Sequence, residues 1–104
     1  MRDTFTRCLE AYAETHPELV LVTGDLGFGV LFPYMKKFPD RFINAGISEQ
    51  AMMSMAAGMA LEGKTVVVYS IGNFPTLRCL EQIRNCCAYH EVNMKIVCVG
   101  AGFV

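Results

Sequence analysis

The sequence has no excess of basic residues, no membrane-length apolar run and no metal-binding spacing. Nine Lys and Arg stand against ten Asp and Glu, for a formal charge of −1. A nucleic-acid partner is therefore not expected, because nothing supplies the basic footprint that a phosphate backbone requires. No apolar stretch, Val66–Tyr69 included, approaches the roughly 20 residues that span a bilayer. The N-terminal Met1–Thr4 lacks the apolar core of a signal peptide. Together these absences predict a cytoplasmic protein with no membrane partner. The five cysteines are odd in number and none is spaced C-x-x-C. With only His16 and His90 to join them, no zinc pattern arises and no metal site is assigned. Buried free thiols are the simplest reading, and a redox or nucleophilic role for one of them is the alternative. No internal repeat or low-complexity linker is visible either.

What is present is apolar. At 104 residues the chain has room for one small domain, yet 53% of it is hydrophobic and its mean hydropathy is +0.33. A small domain has too little interior to hide so much apolar surface. Part of it is expected to lie against another domain or subunit, with an apolar patch on the Met52–Met59 helix or the turns beside it.

Residues 3–15 place Phe5, Cys8, Leu9, Tyr12 and Ala13 on one helical face, with Asp3 or Thr4 as cap and His16-Pro17 as stop. Leu19–Thr23 is an almost unbroken apolar run of strand length, as suits a parallel sheet covered on both faces. A Gly-rich turn, residues 24–29, follows it. This turn is neither G-x-G-x-x-G nor a P-loop. Asp25 within it is either a turn former or a ligand-facing carboxylate. A short helix is predicted over 31–38, a strand over 41–44, a helix over 49–62 and a strand over 65–70. A further helix over 76–89, with Pro75 in its first turn, and a strand over 94–99 complete the pattern. Met52, Met55, Ala56 and Met59 are predicted to form the core face of the second long helix. Alternating strands and helices predict an α/β fold: a three-layer parallel sheet, helices on both faces, with right-handed crossovers.

The centre of the pattern is Gly46-Ile47-Ser48-Glu49-Gln50. It reads as a tight turn between a short strand and a small-residue helix, with Ser48 as N-cap. Glu49 then stands at the carboxyl edge of the sheet, where open α/β sheets bind ligands. Two readings stand open: a surface carboxylate that complements the helix dipole, or a functional group. Three strand ends carry turns with ligand-capable groups, at residues 24–29, 46–49 and 70–74, and parallel strands put all three on one edge. Glu49 and Phe74 are thus predicted to meet.

The run RFINAGISEQAMMSMAAGMALEGK (41–64), followed by VVVYSIGNFPTLRCLEQIRN (66–85), resembles the pyrimidine-binding module of transketolases. It is most similar to the separate C-terminal subunit of split bacterial transketolases, and the resemblance spans about Arg2 to Val104. It implies thiamin diphosphate, with Glu49 bonding N1′ of the aminopyrimidine. A proton shared there favours the imino form, whose nitrogen can take the proton from the thiazolium C2. The ring that stacks on the pyrimidine maps to Phe74. If the stacking position is instead the middle of the family's three aromatics, Leu77 occupies it. Leu80 stands at the third position, so two of the three are aliphatic here. Asp25 matches an Asp that lies near the cofactor's centre. Arg78 reads as structural, an ion-pair residue.

The same resemblance implies that Mg2+ and the diphosphate are held by a partner module, an N-terminal subunit or domain, in a homo- or hetero-oligomer acting on sugar phosphates. It implies a pyrimidine domain over 1–104 that is incomplete at its C-terminal end and inactive alone. Substrate histidines are expected only after Gly102. Transfer of a two-carbon ketol unit is the leading function. Deoxyxylulose phosphate synthase, a 2-oxo acid dehydrogenase β subunit and a non-catalytic assembly module are the alternatives. A small nucleotide-binding domain is disfavoured for want of a phosphate fingerprint.

Overall fold

The computed structural model describes residues 1–102. Helix α1 (Arg2–Thr15) leads into β1 (Leu19–Thr23), and α2 (Phe32–Lys37) and a 3-10 turn (Pro39–Arg41) lead into β2 (Phe42–Asn44). Helix α3 (Glu49–Leu61) then leads into β3 (Thr65–Ile71), and a composite helix α4 (77–88) into β4 (Met94–Val99). The four strands form one parallel sheet in the order β2-β1-β3-β4. The central pair is in register from Leu19 opposite Thr65 to Thr23 opposite Tyr69.

Side chains of a strand alternate between faces, so each strand serves two cores. Val20, Val22, Val66 and Val68 pack under Met52, Met53, Ala56 and Ala60 of α3, with Cys79 of α4. Leu19, Leu21, Val67 and Tyr69 pack on the opposite face against Leu9 and Ala13 of α1 and Tyr34 of α2. This is why all five residues of β1 are buried and why the strand reads as a continuous apolar run. The predicted three-layer parallel α/β fold is what forms.

Several local expectations are corrected. The core face of α3 is Met52, Met53, Ala56, Ala57 and Ala60, with the half-buried Met59 packed against the same core as expected, whereas Met55 is turned outward. The α1 N-cap is Met1, with neither Asp3 nor Thr4 capping it by a side chain. Pro75 lies in the turn ahead of the helix. That helix begins as a 3-10 turn (Leu77–Cys79), passes through one α-helical turn (Leu80–Gln82) and ends π-helical (Ile83–Ala88). The thiols are also less uniform than expected. Cys79 and Cys87 are buried, but Cys8 is exposed and Cys86 and Cys98 are intermediate.

At the α1 C-terminus His16 accepts the stop role, its ring stacked on Tyr12. Arg41 donates through Nη1 to the carbonyls of Ala13 and His16, at 3.0 and 2.9 Å. It thereby satisfies acceptors that a helix end leaves open. Beside α3 the exposed apolar side chains are Met55, Leu61 and, in the preceding turn, Ile47. No helix among the described residues is long and apolar enough to cross a membrane.

The corrected α3 face is open to a direct comparison. Met52→Ala should destabilise the fold by about 2–5 kcal/mol, whereas Met55→Ala should stay within roughly 1 kcal/mol. Urea denaturation of both variants measures this, and equal losses would restore the face with Met55 inside.

Candidate functional site

The carboxyl ends of β1, β2 and β3 carry three turns, and the side chains drawn together there make up the site. After β1 the chain turns at Gly24, where a side chain would press on the neighbouring turn. A Cβ on Gly24 would lie 3.1 Å from the Gly46 carbonyl oxygen, 3.4 Å from Met52 Sδ and 3.9 Å from Glu49 Cγ. The first and second turns therefore touch backbone to backbone, directly over the start of α3.

Asn44, the last residue of β2, locks that contact. Its Oδ1 accepts from the Asp25 amide at 2.8 Å and from the Gly46 amide at 3.0 Å. Its Nδ2 donates to Asp25 Oδ1 at 3.3 Å. Asp25 adopts a positive φ of 56°, a conformation that Asp tolerates better than most residues. As a turn former, then, Asp25 is held in place through Asn44. Gly46, at φ 74°, turns the chain back so that α3 begins at Glu49. Ser48 is the N-cap residue, but its hydroxyl bonds the Ala45 carbonyl at 3.2 Å rather than the helix's free amides.

Glu49 is 6% exposed. A carboxylate so covered needs a partner, and Arg78 supplies it, donating from Nη1 to Glu49 Oε2 at 3.1 Å. The Arg78 guanidinium carbon also lies 4.1 Å from the centre of the Phe74 ring, a cation–π contact. Glu49 and Phe74, separated by a whole helix and strand, are thus joined through one arginine. The reading of Arg78 as an ion-pair residue holds. Gln50 of the same motif fixes its backbone, Nε2 donating to the Arg78 carbonyl at 3.0 Å. Ser48, Glu49, Gln50, Ala51 and Arg78 line an open cavity of about 430 Å³. Phe74 is 39% exposed and Leu77, the next candidate, 61% exposed; no side-chain bond ties Leu77 to Glu49 or Asp25.

Four further residues, to which the sequence assigned no role at the site, matter here. Asn44 and Gln50 were legible only as polar residues flanking a turn. Cys79, buried behind the ion pair, donates its thiol hydrogen to the Phe74 carbonyl at 3.2 Å and so holds the aromatic turn. Burial pushes the Cys79 thiol up, the Glu49 charge pushes it the same way, and Arg78 pulls it down. Ser70, at the end of β3, keeps a wholly buried hydroxyl with no protein partner. Among the described residues no three His, Cys, Asp or Glu side chains converge as a metal site would need.

Residues 1–103 match the family model described as the transketolase pyrimidine-binding domain. Over 103 residues the chain is 41% identical to a protein named as a transketolase C-terminal section in Methanocaldococcus jannaschii, covering 98% of this chain and 33% of that protein. It is 36% identical to one subunit of the apulose-4-phosphate transketolase of Phocaeicola vulgatus, covering 97% of this chain and 33% of that relative. Among solved structures, a split-gene transketolase described as an inactive β4 tetramer superposes with a TM-score of 0.82 at 33% identity, over 91% of this chain and 32% of that one. The chain thus spans about a third of the length of these relatives.

Two outcomes follow. Asn44→Ala removes an acceptor shared by two amides, which should cost roughly 1–3 kcal/mol and speed hydrogen exchange at the Asp25 and Gly46 amides. Unchanged exchange there would show that the two turns hold each other without it. The second concerns pH. Burial raises the thiols of Cys79, Cys87 and Cys98 above their ordinary value of 9.0, and the Tyr34 and Tyr69 phenols above 10.0. Stability from these groups is whole below the ordinary thiol value and declines as pH climbs past it, because the unfolded chain then loses protons first. Denaturation midpoints should fall between about pH 7 and pH 10, and a midpoint that rises would contradict this.

Proposed function

The chain belongs to the family of transketolase pyrimidine-binding domains, and from that membership we propose that it supplies the aminopyrimidine-binding half of a thiamin diphosphate site in a split transketolase. The observation that carries the proposal is the covered Glu49 carboxylate joined to the half-exposed Phe74 ring through a planar, N–H-bearing group. A carboxylate and a ring that already accept a flat hydrogen-bond donor suit the chemistry of an aminopyrimidine. Thiamin diphosphate, when bound, would supply the nucleophilic carbon that takes up a two-carbon ketol unit from a sugar phosphate.

The chain's own contribution would be positional and protonic. Glu49 would share a proton between its carboxyl oxygen and the ring nitrogen N1′. Phe74 would stack on the pyrimidine ring, and Leu77 would line the wall where it cannot stack. Asp25 would border the cofactor from the first turn, held there by Asn44. Gly24 would keep that turn close enough for both.

The described residues bring together no metal-ligand set, and we assign Mg2+ and the diphosphate to an N-terminal partner subunit. The exposed Ile47, Phe74, Leu77 and Leu80 would be covered in that assembly, and the chain alone would be inactive. Five free cysteines accord with a reducing, cytoplasmic setting.

The test mixes the chain with a transketolase N-terminal subunit, thiamin diphosphate and Mg2+, and follows ketol transfer between sugar phosphates. Transfer only in the mixture is the expected result. Condensation of pyruvate with glyceraldehyde phosphate instead would move the chain to the deoxyxylulose phosphate synthase branch, and no turnover in either assay would favour a non-catalytic module. In the active mixture Glu49→Gln should keep the melting temperature nearly unchanged and lower turnover on the order of a hundred- to ten-thousandfold. Wild-type turnover at saturating cofactor would make Glu49 a helix-terminus residue and overturn the proposal.

A further inference from the structure

We infer that Arg78 is an internal occupant of the proposed pyrimidine site, its guanidinium holding the carboxylate and the aromatic ring that the cofactor's aminopyrimidine would take. The inference rests on the site reading proposed above and adds a device that regulates entry to it. A guanidinium is flat, delocalised and edged with N–H donors, and it stacks on aromatic faces. An aminopyrimidine carries the same features: a flat ring and an exocyclic amine. In this structure Arg78 Nη1 donates to Glu49 Oε2 at 3.1 Å, and Arg78 Cζ lies 4.1 Å from the centre of Phe74. One side chain thus makes both contacts.

Access strengthens the argument. Glu49 is almost wholly covered, and Arg78 lines the cavity that reaches it. A ring entering that cavity shares it with the guanidinium, which already holds the carboxylate. The arginine is also built to leave. Its side chain is 48% exposed, so water can receive the charge. Its backbone is anchored independently of its side chain, with the amide on the Asn73 carbonyl at 3.1 Å and the carbonyl on Gln50 Nε2 at 3.0 Å. The guanidinium can swing out while the turn stays folded.

Until a ligand displaces it, Arg78 keeps a covered carboxylate paired, which an unpartnered Glu49 would not be. Affinity for the pyrimidine is then lowered by the fraction of molecules in which Arg78 occupies the site.

The experiment titrates 4-amino-5-hydroxymethyl-2-methylpyrimidine, the pyrimidine half of thiamin, into the isotopically labelled chain assembled with the N-terminal subunit and follows backbone amides and the Arg78 Nε–Hε signal by NMR. On addition, the Nε–Hε signal should move toward the solvent-exposed position. Arg78→Ala should bind the probe roughly three- to thirtyfold tighter, the range of an exposed ion pair plus a cation–π contact. Arg78→Lys should fall between, because an ammonium pairs with a carboxylate but does not stack as a plate. It also keeps a charge beside Glu49, and it decides the matter alone if Arg78→Ala does not fold. If both variants bind the probe as wild type does, or more weakly, while Glu49→Ala abolishes binding, the occupant role is wrong and the site reading stands. If Glu49→Ala binds as well as wild type, or no variant binds, the pyrimidine reading itself falls and this inference with it.

Discussion

A carboxylate with almost no access to water is the constraint around which the carboxyl edge of this sheet is arranged. Glu49 is placed there by a chain of local necessities: a side-chain-free Gly24, a left-handed Gly46 and the Asn44 amide that ties them. Removing Glu49 from water costs far more than its helix-terminal position returns, unless it is paired. Arg78 provides the pair from a different element. To bring it there the chain must complete β3 and the aromatic turn, and that turn is itself held by the Cys79 thiol. Partial exposure of Arg78 moderates the strength of the bond, since solvent screens the arginine. The bond's importance lies in geometry more than in stability.

Much of the framework was legible in the sequence, for physical reasons that differ among elements. The strands Leu19–Thr23 and Thr65–Ile71 could be read because burial on both faces demands unbroken apolar or β-branched runs. The turns could be read because glycine stands where the chain either takes a left-handed φ, at Gly46, or passes close to another backbone, at Gly24. The α3 face was misread for a related reason. Between Ala51 and Leu61 nearly every residue is apolar or small, so periodicity gave no direction. Met53 and Met55 look alike in sequence, but only Met53 faces the valines of the sheet.

The site was legible in part. The resemblance marked Glu49, Phe74, Leu77 and Asp25, and the structure joins the first two through Arg78 and ties the fourth to Asn44. Leu77 stands apart, exposed at the start of the 3-10 turn. The bonds of Asn44 and Gln50 could not be read because they reach backbone groups far away in the chain. Such bonds have no periodic or spacing signature. The winding of α4 was equally hidden. The change from 3-10 to π geometry within twelve residues has no sign in the composition of the segment.

The strand order has a consequence for how the domain comes to exist at all. No two strands are joined by a hairpin, and the central pair unites residues 46 apart, as the Thr23 hydroxyl on the Tyr69 carbonyl records. Closing so long a loop sacrifices chain entropy before any contact compensates. Parallel pairings of this kind form late and together, and they fold slowly compared with local ones. Glu49, Arg78 and Phe74 lie on segments whose positions depend on that closure. At this sheet edge Glu49 is therefore brought to Arg78 and Phe74 only by pairings between distant parts of the chain, and by no contact local to one turn.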